Sequence, residues 1–241
     1  MSIAEKSWAA PSFPVALSNG ELQLWRFDLR TQSTSEEKQI STLSAEERRR
    51  AACYLSKNAR KQFINGRWAL RTILGYYLNT EPNLIEFHYG RYGKPYIEHG
   101  YGEDAVQFSL THSHDIILYA FTRGHRVGID VELVQDFSDI EQMLEKDFTE
   151  QQTMSRNEKI KVFFDHWTRQ EAQLKAVGTG FAQWSRGFVD RTHHITDCER
   201  SETASQWFEF SFKPSLGFTS TVVVEGTTID LRFLSFDCKQ L

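Results

Sequence analysis

The chain has 241 residues, with 28 Lys and Arg against 32 Asp and Glu, for a formal net charge of −4. That balance excludes a general electrostatic attraction to nucleic acid or to an anionic membrane surface, and 40% hydrophobic with 13% aromatic residues excludes a disordered chain. Three cysteines (Cys53, Cys198 and Cys238) without a CxxC spacing exclude a disulfide scaffold and a cysteine-rich zinc site.

At the start of the chain, the apolar stretch Trp8 to Leu17 is broken by Pro11 and Pro14, and Glu5 offsets Lys6. A signal peptide has a basic start and an unbroken apolar centre. Leu22 to Phe27 alternates apolar and polar residues, which predicts a strand. The polar run Thr31 to Gln39 reads as a connector. Ser44-Ala-Glu-Glu47 fits a capping box and opens a helix to about Leu55. A second helix covers Ala59 to Tyr77, with Phe63, Ile64, Trp68, Ile73 and Leu74 on one side. Short strands are expected at Leu84 to His88, Lys94 to Ile97, Val106 to Leu110 and Ile116 to Phe121. The last of these is the longest apolar run, far below the roughly 20 residues of a membrane-spanning helix. A cytoplasmic protein with no membrane or nucleic-acid partner is expected.

The order of elements then repeats. Val127 to Val134 reads as a strand, Asp136 to Phe148 as a helix, and Thr149-Glu-Gln-Gln152 as a further cap. A long helix follows over Lys159 to Val177, then strands at Trp207 to Phe212, Ser220 to Glu225 and Ile229 to Phe236. At an offset of 100 residues the two long helices share Phe63 with Phe163 and Leu74 with Leu174. The expected fold class is α+β, with two similar α/β halves, 1–124 and 125–241, divided near Gly124.

Candidate chemistry begins at Val127-Gly-Ile-Asp-Val-Glu132. Residues two apart in a strand share a face about 6.5–7 Å apart. Asp130 and Glu132 therefore stand side by side, and such a pair repels unless a cation bridges it or one member is protonated. Hard oxygen donors of this kind suit Mg²⁺; an ordinary half-buried strand with a solvated acidic face is the plainer possibility. In the long helix, apolar residues recur at 160, 163, 164, 167, 174 and 177, and Glu171 interrupts the stripe. A carboxylate on an apolar face is costly unless paired or bound to metal. Lys175, one turn on, offers an intrahelical pair of about 0.3–0.5 kcal/mol, which does not account for the interruption.

His112 and His114 in Thr111-His-Ser-His114 alternate as metal ligands on one strand face do, and the segment resembles the opening of the metallo-β-lactamase signature. Asp115 follows directly instead of after a spacer, so that ligand set is incomplete. A zinc-dependent hydrolase built on His112-x-His114 is therefore a competing function. Arg48, Arg49 and Arg50, the pair Arg67 and Arg71, and Lys94 in Tyr92-Gly-Lys-Pro95 add scattered basic charge. Beside a carboxylate metal site they suit a ligand with several phosphates, and neither a P-loop nor a dinucleotide fingerprint is present.

Tyr92-Gly-Lys-Pro95, Phe108-Ser-Leu-Thr-His-Ser113, Val127-Gly-Ile-Asp-Val-Glu132 and Phe164-Asp-His-Trp-Thr-Arg-Gln-Glu-Ala172, with Lys175 and Gly178, together resemble the 4′-phosphopantetheinyl transferases. Length and organisation look like the large, surfactin-type class, a pseudo-dimer of two α/β halves in one chain with the site between them. The Trp and Glu-Ala residues look like its Trp/Lys-Glu-Ala subgroup. The resemblance implies transfer of phosphopantetheine from coenzyme A to a serine of an acyl or peptidyl carrier protein, releasing adenosine 3′,5′-bisphosphate, by a monomer. It implies Asp130, Glu132 and Glu171 as Mg²⁺ ligands, Glu171 also as the base for the carrier serine, and Lys175 as a pyrophosphate contact. By the same resemblance Thr111 and His112 contact coenzyme A, and Arg50, Arg67 and Lys94 bind its nucleotide and 3′-phosphate. Two departures stand out: Gln170 replaces the Lys usual before the Glu, and Ser109 stands where Asn is common. The same carboxylates would also serve a Mg²⁺-dependent phosphohydrolase, and Gln170 leaves room for a non-catalytic carrier-protein-binding module.

Overall fold

Alternation on each strand decides which face enters which core, and here it builds four layers. The computed structural model describes residues 7–98, 102–137, 154–179, 206–226 and 230–237. In the first sheet, β1 (Glu21–Asp28) runs antiparallel to β5 (Ile116–Arg123) and parallel to β9 (Asp230–Ser235), and β4 (Val106–Ser113) pairs with β5. Its strand order is β4-β5-β1-β9. The second sheet consists of β6 (Val127–Leu133), β8 (Phe218–Glu225) and β7 (Trp207–Phe212), in that order and all antiparallel.

The near-continuous apolar run of β5 reflects burial on both faces. Ile117, Tyr119 and Phe121 join Trp25, Ile64 and Trp68 in one core, while Ile116, Leu118 and Ala120 join Val127, Ile129 and Val131 in another. The first core is closed by helix α3 (Lys57–Leu78). On the far side of the second sheet lies α4 (Arg156–Val177), whose Ala172 and Ala176 pack on Val223. Helix, sheet, sheet and helix therefore stack in that order, and β9, from the far end of the sequence, lies beside β1 at the edge of the first sheet.

Local signals place most elements where the sequence predicts them. The capping box of Ser44 and Glu47 opens α2 (Ala45–Ala52), which stops short of Leu55 because Ser56 caps α3. Three expectations change. The connector over 31–39 contains the start of α1 (Glu36–Ser41), capped by Ser35 and favoured by Glu36 and Glu37 in its first turn. The strand expected at 84–88 is a 3-10 turn at Pro82–Leu84, and Ile85 turns inward to the core. Only β2 (His88–Tyr89) pairs with β3 (Pro95–Tyr96). Helix α4 begins at Arg156, three residues early, because Ser155 and Glu158 form a capping box of their own. The helix expected over 136–148 and the cap at 149–152 lie, apart from Asp136 and Phe137, outside the described residues. No helix among the described residues is long and apolar enough to cross a membrane.

Candidate active site

Strand β6 turns Val127, Ile129 and Val131 into the core between the sheets, so Gly128, Asp130 and Glu132 face α4. Gly128 decides how close the helix comes. A Cβ there would stand 2.0 Å from the Ala172 carbonyl oxygen and 2.4 Å from the Ala176 nitrogen. The helix meets the sheet through a row of small side chains, Thr168, Ala172 and Ala176, and the Thr168 hydroxyl lies 3.2 Å from that of Thr221. The apolar stripe read from the sequence is thus rotated from the packed row. Glu171 does not interrupt a core face. It belongs to a second row, Trp167, Glu171, Lys175 and Gly178, that lines a cavity of about 560 Å³.

That cavity gathers residues from both sheets. Asp130 and Glu132 line it from β6, Ser109 to His112 from β4, Arg67 from α3, Tyr92 to Lys94 from the loop before β3, and Pro95 from β3 itself. Asp130 is 3% exposed, and its Oδ1 accepts hydrogen bonds from Thr111 Oγ1 at 2.9 Å and Lys175 Nζ at 2.6 Å. Lys175 therefore pairs across to the strand rather than with Glu171. Asp130 Oδ2 and Glu171 Oε1 are buried without a hydrogen-bond partner. Glu132 Oε2 accepts from Ser113 Oγ at 3.0 Å. Burial first, and then the neighbouring carboxylates, push Glu132 and Glu171 above the usual carboxylate range. Surrounding protein, and next the Lys175 ammonium, hold His112 below the ordinary histidine value, so it is neutral at pH 7.

The basic residues divide. Arg67 is 8% exposed, donates from Nη2 to the Tyr89 hydroxyl at 3.1 Å, and has a buried Nη1 without a partner. Arg71 does not join it in the cavity. Its Nε pairs with Glu47 at 2.7 Å and its Nη1 donates to the carbonyls of Pro82 and Ile85, which ties α2 and the 3-10 turn to α3. Lys94 reaches the cavity with its stem, while its Nζ donates to the Val127 carbonyl at 2.9 Å. Burial, and secondly Arg126, lower its pKa to about 8. Arg50 stacks over Phe63 at 5.2 Å and lines a separate cavity beside α2.

The zinc reading loses its geometry. Strand β4 ends at Ser113, and His114 sits in the hairpin turn with φ of 50°, so His112 and His114 do not share a strand face. Among the described residues, no three His, Cys, Asp or Glu side chains are close enough to hold an ion as they stand. Gln170 is not in the cavity wall: its amide lies 3.4 Å from His166 Nε2, and Arg169 is tied to Glu209.

Comparison with known proteins decides the family. Residues 126–223 match the family model described as the 4′-phosphopantetheinyl transferase superfamily. The chain is 30% identical over 227 residues to the 4′-phosphopantetheinyl transferase HetI of Nostoc sp., covering 92% of this chain and 95% of that protein. The chain belongs to the 4′-phosphopantetheinyl transferase superfamily and is an enzyme of that family. It is also 29% identical over 146 residues to the transferase gsp of Aneurinibacillus migulanus, covering 53% of this chain and 59% of the relative. For the transferase AcpT of Escherichia coli the figures are 29% over 165 residues, 64% and 77%.

Within this transferase, three features escape sequence reasoning. The closeness of α4 at Gly128 has a signal only in combination, a strand glycine together with Ala172 and Ala176 at helical spacing. Ser113, whose hydroxyl reaches Glu132, is legible only as the third member of a period-two series with Ser109 and Thr111. The Glu47 carboxylate is visible in the sequence only as a cap, whereas it also stands 3.7 Å from Arg67 and pairs with Arg71.

Proposed function

We propose that the enzyme transfers the 4′-phosphopantetheine group of coenzyme A to a serine of an acyl or peptidyl carrier protein and releases adenosine 3′,5′-bisphosphate. The observation that carries this is the shared cavity. Its walls hold three carboxylates on one side and a buried arginine with an unpartnered nitrogen on the other. Asp130, Glu132 and Glu171 are hard oxygen donors, and the buried, unpartnered oxygens on Asp130 and Glu171 fit a divalent cation such as Mg²⁺. When bound, such an ion supplies charge neutralisation for the diphosphate and its leaving group.

The protein's own groups carry the rest. In this reading Lys175 and neutral His112 hold the diphosphate, while Lys175 and Thr111 both donate to Asp130. Arg67 is placed for the 3′-phosphate or the nucleotide; Lys94 and Arg50, also assigned there by resemblance, contribute from the cavity edge and from the neighbouring cavity. Glu171, raised above the ordinary carboxylate range by burial, is suited to accept the proton of the carrier serine, which is a poor nucleophile at neutral pH. We assign the chain to the surfactin-type class, with 1–124 and 125–241 as its two halves, active as a cytoplasmic monomer. Support for a monomer is that both walls of the cavity come from one chain.

The test is the mass of an apo-carrier protein after incubation with the enzyme, coenzyme A and Mg²⁺. A gain of one phosphopantetheine group is expected, and Glu171→Gln should abolish it. No gain across acyl, peptidyl and aryl carriers, or release of phosphate from coenzyme A alone, refutes the proposal.

A further inference from the structure

Strands β4 and β6 lie next to each other where the two sheets meet, yet each is the edge strand of its own sheet. The seam is closed by hydroxyl groups rather than by a backbone ladder. Ser109, Thr111 and Ser113 alternate along β4, opposite Ala120, Leu118 and Ile116 of β5, so they share the face turned toward the second sheet. Ser109 Oγ accepts from the Ile129 N–H at 3.2 Å, and Thr111 Oγ1 donates to Asp130. Ser113 Oγ accepts from the Leu133 N–H at 3.1 Å and donates to Glu132 Oε2 at 3.0 Å.

A hydroxyl has one proton to give. With the Leu133 amide donating to it, the Ser113 proton is directed to the carboxylate, and the Glu132 oxygen is fixed relative to β6 itself. Ser113 is 8% exposed, so water competes poorly for that bond. His114 Nδ1 lies 3.5 Å from the same hydroxyl, farther than the Glu132 oxygen. A half-buried glutamate with no such anchor has three rotatable bonds and several rotamers to choose from. From these contacts we infer that Ser113 is a positioning residue. It presents Glu132 to the divalent ion from across the seam, as hydrogen-bonded partners of ligating carboxylates do in metal sites generally. The inference rests on the reading of Glu132 as a metal carboxylate.

The experiment measures Mn²⁺ affinity by electron paramagnetic resonance on the whole chain, with coenzyme A present, together with the melting temperature. Ser113→Ala should weaken Mn²⁺ binding about tenfold or more, and Ser113→Thr should restore it. Tyr77→Phe removes buried hydrogen bonds to Gln23 and Trp25 in the first core, away from the cavity, and should lower the melting temperature while leaving Mn²⁺ affinity at the parental value. Should the alanine variant at 113 fail to fold, Ser113→Cys keeps a side chain of similar shape with a weaker donor and should still lose affinity. Unchanged affinity in Ser113→Ala beside a clear loss in Glu132→Gln overturns the positioning role and leaves the metal reading standing. Unchanged affinity in Glu132→Gln overturns both, and equal losses at 77 and 113 overturn the positioning role in favour of general loosening of the fold.

Discussion

Replacing Gly128 with alanine should damage both stability and catalysis, because one methyl group would stand where the backbone of α4 now lies. The added Cβ would sit 2.0 Å from the Ala172 oxygen, against an ordinary contact of 3.4–4 Å, so strand and helix must separate by about 1.4 Å. Both obstructing atoms belong to backbone, so no rotamer change relieves the clash. Overpacking of this kind costs about 1–3 kcal/mol and occasionally more, and the upper end applies here. For a chain of this size that is a fall in melting temperature of roughly 6–12 °C. The same displacement carries Glu171 and Lys175 away from Asp130, and an ångström of misplacement costs about 10²-fold in rate. Gly66→Ala is the control. Its Cβ would meet Ile117 Cδ1 at 3.5 Å, ordinary contact, within helix α3, so stability should hold or rise by the ~0.5–1 kcal/mol that alanine gains over glycine. Thermal melts and carrier-loading rates on both variants decide the matter. Parental stability and rate in Gly128→Ala would mean that α4 does not rest on β6 as described.

Three further outcomes follow from the site. Asp130→Ala should lower the rate of carrier loading about 10²-fold or more, as other electrostatic removals do, and near-parental rates at saturating Mg²⁺ would exclude its metal role. Glu132 and Glu171 have folded-state pKa values raised by burial. The metal-free protein therefore loses stability as pH rises from the unfolded value of about 4.3 through the raised folded values. An ion binds the ionised carboxylates, so Mn²⁺ should raise the melting temperature more at pH 7 than at pH 5; equal shifts at the two pH values would count against the assignment. Removing one member of the buried Glu47–Arg71 pair, as in Glu47→Ala, should cost about 3–5 kcal/mol in denaturant unfolding. Glu36→Ala, at the exposed pair with Arg60, should change stability by less than about 1 kcal/mol; similar costs at both positions would contradict the burial described.

What the sequence discloses is governed by the range of the interaction that fixes each feature. The capping box at Ser44, the strand pair Asp130 and Glu132, and the series Val106 to Phe121 are legible because each is set by neighbours two to four residues away. The unexpected α1 and the early start of α4 are local as well, and Ser35 and Ser155 carry the signal in their side chains. His112 and His114 mislead because the hairpin turn interrupts the alternation after Ser113, and a strand period holds only while the strand continues.

Glu171 stands out in the sequence for a reason that the packing replaces. Large apolar residues on a helix ordinarily mark its buried face, and a carboxylate among them looks anomalous. Where a helix lies against a strand glycine, however, the closest row must be small, so Thr168, Ala172 and Ala176 make that contact. The row carrying Trp167 and Glu171 is left to face the cavity. A carboxylate with its pKa raised by burial is then no defect in a core but a group held close to a strand that presents two more. The approach that Gly128 permits brings Lys175 within 2.6 Å of Asp130, so the residue without a side chain and the residues with the most reactive ones belong to a single device.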